Sequence, residues 1–154
     1  MTDYPNWLKT IEYTDDLDGG GRVLAPVFAK YLENIKVETC FEWCCGPGWI
    51  GLWLLELGIC KKLIASDINP KAIKYLNKTI KKNNYNAEAY CSDNLKNVPK
   101  QKFDIIVSNP PNYVNIQTKH PLGYMREDLR PSDVEWRIHK DFFKNIKLYL
   151  KEKS

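Results

Sequence analysis

The stretch Glu42-Trp43-Cys44-Cys45-Gly46-Pro47-Gly48-Trp49-Ile50-Gly51 sets three glycines in a G-x-G-x-x-G pattern directly after an apolar run. An acid, Asp67, follows at about the twenty-residue interval expected of a ribose-binding carboxylate. Taken alone, this spacing suits NAD as well as any other adenosine-bearing ligand. Two residues weigh against a pyrophosphate. Pro47 removes an N–H from the middle of the cradle, and Glu42 places a negative charge where phosphates would lie. A ligand without phosphate and with a cationic end is better served. Two more polar turns follow later apolar runs, Ser92-Asp93-Asn94 and Ser108-Asn109-Pro110-Pro111. A residue before proline is pushed to extended backbone, so the paired prolines stiffen the second of these turns.

The elements that must hold these turns are legible from periodicity. Val37 to Trp43 reads as a strand, and Trp49 to Leu57 carries apolar residues at helical spacing. Lys62 to Ile68 reads as a second strand, ending at Asn69-Pro70, and Ile73, Leu76 and Ile80 then share one helix face. Ala87 to Cys91 is a third strand and Phe103 to Ser108 a fourth. Trp136, His139, Phe143, Ile146 and Leu150 fall on one face of a last helix running from Asp133 to Leu150. Strands alternating with helices imply an α/β fold, a parallel sheet flanked by helices. Residues 1–34 form an N-terminal arm with a Gly-rich loop at Gly19 to Gly21 and an amphipathic helix over Leu24 to Leu32. Residues 35–154 form the cofactor-binding domain, the whole being a single domain. The loop Asn109 to Pro131 is long for a compact domain, as functional loops often are.

With these motifs in place, the sequence from Asp18 to Pro111 resembles the class I S-adenosylmethionine-dependent methyltransferases with a Rossmann-like sheet. Within them it resembles the small-domain group whose Asn-Pro-Pro-aromatic motif acts on protein glutamine or on exocyclic amines of bases. The resemblance implies cofactor contacts from Glu42, Cys44 (in place of the first glycine), Gly46, Gly48, Asp67, Ile68, Asp93, Asn94 and Asn109. It implies Asp67 at the ribose and the Asp93 turn at the adenine amine. It also implies catalysis by Asn109 and Pro110. An amide or ring amino nitrogen has a delocalised lone pair and is a poor nucleophile. Acceptors for its N–H groups, the Asn109 side-chain oxygen and the Pro110 carbonyl, would orient it toward the methyl carbon, and no metal is needed. Asn112 stands where the group carries an aromatic ring, and Tyr113 next to it is the candidate to stack on the acceptor. Protein, RNA and DNA acceptors stay open. So does a catalytically silent module that binds adenosylmethionine or a partner.

The bulk properties set outer bounds. At 154 residues, 44% hydrophobic and 27% charged, the chain has the composition of an ordinary soluble domain. Met1 to Thr10 lacks the pattern of a secretory signal, and no run is long enough to cross a membrane, which places the protein in the cytoplasm. The five cysteines are not spaced as CxxC pairs and read as reduced, buried thiols. A net charge of +4 permits a nucleic-acid partner without requiring one. Lys71, Lys74, Lys78, Lys81 and Lys82 form a basic stripe, read as a solvated face, with RNA contact as the alternative. His120 and His139 have no visible catalytic partner. The resembling enzymes continue through three further strands, so the expectation is a sheet truncated after its fourth strand and last helix. In the order third, second, first, fourth, the Phe103 to Ser108 edge would be bare, to be covered by a second chain or by the loop from Asn109 to Pro131.

Overall fold

The computed structural model describes residue 6 and residues 10–17, 20–112 and 133–152. Four strands, β1 (Val37–Trp43), β2 (Cys60–Asp67), β3 (Ala87–Cys91) and β4 (Ile105–Ser108), form one sheet in the order β3-β2-β1-β4. Every pairing is parallel. The expected α/β architecture and strand order are therefore observed. β1 lies between two neighbours, and its last four residues are wholly buried. That is why, Glu42 apart, it reads as apolar there.

Helices α1 (Gly21–Tyr31), α2 (Trp49–Glu56) and α3 (Pro70–Asn83) cover one face. Ala25, Ala29, Leu52, Leu54, Ile73 and Leu76 pack there with Cys40, Leu63, Ala65 and Val107. α2 is buried from Trp49 to Leu54, as a helix apolar on nearly all sides must be. α3 starts conventionally, with Pro70 in its first turn and the Asn69 side chain accepting the Lys71 N–H at 2.9 Å. Residues before α1 join the same body: Ile11 and Leu17 are buried, and the Glu12 N–H donates to Thr79 Oγ1 at 2.9 Å. Ion pairs Glu12–Lys82 and Asp16–Lys71, both 2.7 Å, tie this arm to α3. All five lysines of the stripe are exposed, as a solvated face requires, and two of them also hold the arm.

The opposite face is covered by α4 (Arg137–Asn145), where Phe142, Ile146 and Tyr149 pack on Phe41, Trp43, Ile64 and Phe103. Here the sequence expectation needs correction. Instead of one helix from Asp133 to Leu150 there is a 3-10 turn at Val134–Trp136, then α4, then a second 3-10 turn at Ile146–Tyr149. Glu135 and Trp136 sit at φ 55° and 58°, left-handed values that cost about 1–2 kcal/mol per residue. This break resets the phase, and Phe142 stacks on Trp43 with ring centroids 3.7 Å apart. Trp136 and Phe143, expected on the buried face, lie outside at 41% and 63% exposure.

The fourth strand is also shorter than expected. Phe103 lies outside β4, in an isolated parallel bridge to Leu150: its N–H donates to Tyr149 O at 2.7 Å, and Lys151 N–H donates to its carbonyl at 3.0 Å. The chain's own C-terminal segment thereby pairs at the foot of the β4 edge. Among the described residues no helix is long and apolar enough to cross a membrane. All five cysteines are free; Cys40, Cys45 and Cys60 are buried, whereas Cys91 is exposed and Cys44 partly so.

Candidate functional site

A cleft of about 540 Å³ opens beyond the carboxyl ends of β1, β2, β3 and β4, within the size range of small-ligand sites. Its floor is the turn between β1 and α2. Cys44, Gly46 and Gly48 in this turn have φ of 54°, 53° and 87°. Glycine adopts these values without strain, whereas at Cys44 the side chain makes the same turn costly. Burial, followed by the charges of Asp67, Asp133 and Glu42, pushes the Cys44 thiol far up. It is accordingly held as the neutral, unreactive form.

Glu42 lies under this turn, 2% exposed, and does not stand free. Its carboxylate accepts the N–H groups of Gly51 at 2.9 Å and Ile50 at 3.3 Å, clamping the first turn of α2. Burial pushes its carboxyl up to about 8 against these two hydrogen bonds, and Asp67 adds to the rise. The third glycine of the motif has a packing role. A Cβ on Gly51 would meet Glu42 Oε2 and Leu63 Cδ1 at 2.6 Å.

Asp67, at the end of β2, accepts Gly46 N–H at 2.8 Å and Asn69 N–H at 2.9 Å. Burial raises its pKa overall, against the backbone hydrogen bonds that lower it. It is a strand-end cap and at the same time a carboxylate lining the cleft. Ile68 beside it also lines the cleft and is 61% exposed, an apolar shelf at the rim.

The turn after β3 divides its two candidates. Asp93 faces the cleft and pairs with Lys96 at 2.6 Å, a hydrogen bond that lowers its pKa. Asn94 also lines the cleft, yet its side chain is committed: Oδ1 accepts Trp43 Nε1–H at 2.9 Å, and Nδ2 donates to Asp141 Oδ2 at 2.7 Å and to Ile138 O at 3.1 Å. Asn94 therefore ties β1 to α4. Only its backbone is left for a ligand.

From β4, Asn109, Pro110, Pro111 and Asn112 line the same cleft, and the Ser108 hydroxyl donates to Trp43 O at 2.5 Å. A Cβ on Gly20 would lie 3.8 Å from Asn109 Nδ2, so the glycine turn before α1 borders the Asn-Pro-Pro segment. Tyr113 and His120 lie outside the described residues, as does most of the Asn109 to Pro131 loop. His139 is placed by the structure next to Asp133, with Nδ1 2.6 Å from Oδ2.

Several lining residues carried no usable sequence signal. Asp16, Leu17 and Gly20 come from the arm, Ser66 from β2 and Ile138 from α4. Only the run of glycines hinted at the first group, and nothing local marks Ile138. Trp49 Nε1 and Ser66 Oγ are buried and lack a hydrogen-bond partner.

Comparison with known proteins follows the same segments. The ribosomal RNA small subunit methyltransferase C of Pseudoalteromonas translucida is 36% identical over 111 residues, 70% of this chain and 30% of that protein. A putative protein N5-glutamine methyltransferase of Methanocaldococcus jannaschii is 38% identical over 82 residues, 53% of this chain and 41% of that protein. Among solved structures, the T. thermophilus 16S rRNA N2 G1207 methyltransferase in complex with AdoMet and guanosine superposes with TM-score 0.53 at 25% identity, over 63% of this chain and 26% of that one. The chain thus spans less than half the length of each. The family model "Methyltransferase small domain" matches residues 13–124, from the arm through the Asn-Pro-Pro segment, and the chain belongs to that family.

Proposed function

We propose that the chain is the cofactor-binding part of an S-adenosylmethionine-dependent N-methyltransferase acting on a planar amide or exocyclic amino nitrogen of protein, RNA or DNA. The observation that carries this is the acidic lining of the cleft. Asp16, Glu42, Asp67 and Asp93 line it, Glu42 as a buried carboxyl held largely protonated at neutral pH and Asp16 and Asp93 paired with Lys71 and Lys96, and no lysine or arginine lines it among the described residues. Such a lining offers a pyrophosphate no cation to meet, whereas Asp67 beside the glycine turn suits a ligand with a sulfonium and an ammonium. The donor set fits the rest of the cofactor. Trp49 and Ser66 line the cleft, and their buried Nε1 and Oγ have unused hydrogen-bonding capacity, which suits a ligand bearing carboxylate, amine and hydroxyl groups.

In this reading Gly46, Gly48 and Cys44 shape the floor and Glu42 fixes the helix behind it. Asp67 holds the ribose hydroxyls with its remaining lone pairs, Ile68 backs the adenine, and Asp93 and the Asn94 backbone meet the adenine edge. When bound, adenosylmethionine supplies an electrophilic methyl carbon. Asn109 and Pro110 accept hydrogen bonds from the acceptor nitrogen's N–H groups, which localises its lone pair and aligns it for displacement. Tyr113 is the residue proposed to stack on the acceptor.

A second reading is a module that binds the cofactor or a partner without turnover. It rests on Asn112, which lines the cleft where the resembling enzymes carry an aromatic ring. We place the protein in the cytoplasm, and we read the outer edge of β4 above Phe103 as the place where a strand of a second chain pairs. The arm over 1–34 and the domain over 35–154 act as one unit around the cleft. Titration calorimetry tests the reading. Adenosylmethionine and adenosylhomocysteine bind and NAD does not. NAD binding at Cys44 to Gly48 overturns it.

A further inference from the structure

The exposed face of α4 carries a pattern that the cleft chemistry does not use. Trp136, at the N-cap of α4, and Phe143, within it, are 41% and 63% exposed. His139 lies between them, its ring 5.1 Å from Trp136 and 6.5 Å from Phe143. It also meets Trp43 edge-on at 5.6 Å, and Trp43 lines the cleft. A continuous series of rings therefore leads from the cleft wall to the surface. Asp133 holds His139 in this position through Nδ1 at 2.6 Å.

In α4 and the 3-10 turn after it, exposed cations outnumber exposed acids. Arg137, Lys140, Lys144 and Lys147 are exposed, and none of the four is in an ion pair among the described residues. The nearby acids are engaged inward. Asp141 accepts from Asn94 and Asn145, and Asp133 accepts from His139 and the backbone of Ile138. Glu135 is the only exposed acid in the segment from Asp133 to Lys147 besides Asp141.

We infer that this face of α4 is a docking surface for a single strand of nucleic acid, with unstacked bases lying on Trp136 and Phe143 and phosphates against Lys140, Lys144 and Lys147. Rings interleaved with unpaired cations match a chain in which flat bases alternate with anionic phosphates. A glutamine-bearing protein loop offers neither a phosphate row nor π-faces to match. The surface adjoins the cleft through Ile138 and Trp43, so a strand held there presents a neighbouring base to Asn109 and Pro110. The inference rests on the methyltransferase reading of that cleft and narrows its acceptor to a nucleobase amine.

The test is fluorescence anisotropy of the full chain with a labelled fifteen-nucleotide single-stranded RNA and its DNA counterpart, the tighter of the two identifying the source. The double variant Trp136→Ala/Phe143→Ala is expected to bind about 10-fold more weakly or worse, since base stacking on an aromatic ring carries factors of this size. Trp136→Phe should restore most of the loss. Lys140→Gln/Lys144→Gln should reduce the salt slope of log affinity by about 1.4, two phosphate contacts on a single strand. Adenosylhomocysteine affinity, measured on every protein, should not change and reports folding. Failure of wild type to bind adenosylhomocysteine defeats the methyltransferase reading. Intact cofactor binding with no RNA or DNA binding, with wild-type affinity in the double variant, or with saturable binding of a glutamine peptide alone overturns the surface.

Discussion

The Glu42 carboxylate and the Gly51 backbone are in direct contact: Gly51 N–H donates to Oε2 at 2.9 Å, and a Cβ on Gly51 would stand 2.6 Å from the same oxygen. The last glycine of the motif is required by this buried acid and by Leu63 behind it, not by a ligand.

Gly51→Ala is therefore expected to destabilise the fold by about 1–3 kcal/mol, the usual cost of forcing a methyl group into a filled core. Urea denaturation measures it. An unchanged midpoint would show that α2 can move off β1 without cost, contrary to the packing described.

Stability should also depend on pH through Glu42. Its carboxyl is pushed up to about 8 from an ordinary 4.5, chiefly by burial. Between those values the unfolded chain releases a proton that the folded chain keeps. Its contribution to stability is thus fully present below 4.5, falls as pH rises by at most about 1.4 kcal/mol per unit, and is lost through 8. Denaturation curves from pH 5 to 9 measure the slope, and Glu42→Gln should abolish it. If binding brings a cationic amine near Glu42, calorimetry in buffers of different ionisation enthalpy should show proton release at neutral pH.

Asp67→Ala should weaken cofactor binding by roughly 1.5–3 kcal/mol, the size of a charge-assisted hydrogen bond. It should also lower stability, because Gly46 N–H and Asn69 N–H lose their acceptor. A loss of stability with no change in the affinity of a folded sample would reduce Asp67 to a cap.

Asn109→Ala removes a group at the methyl acceptor rather than along the bulk of the cofactor, so it should leave cofactor affinity nearly intact and slow methyl transfer by about two orders of magnitude or more, the effect of losing one preorganised polar contact. Single-turnover assays on nucleic acid of the class favoured by the α4 experiment provide the measurement. Normal turnover would remove Asn109 from the mechanism.

The sequence by itself determined the order of strands and helices, the turn from Cys44 to Gly48, and the acids at 42, 67 and 93. Each is a local signal: an apolar run ending in glycines, a proline opening a helix, a carboxylate at a fixed interval. Only the tertiary structure decided which of these groups face the cleft. Asn94 and Asp93 look alike in sequence, yet the Asn94 side chain is consumed by Trp43 Nε1, Ile138 and Asp141, residues 44 to 51 positions away in the chain. The last helix shows the same division. Its apolar spacing was visible, but its phase was set by the left-handed pair Glu135–Trp136 and by the stacking of Phe142 on Trp43, turning Trp136 and Phe143 outward. Periodicity records what one segment can bury on its own. Which face it buries, and which polar atoms are used up in doing so, depends on the partner surface, and that partner is remote in sequence.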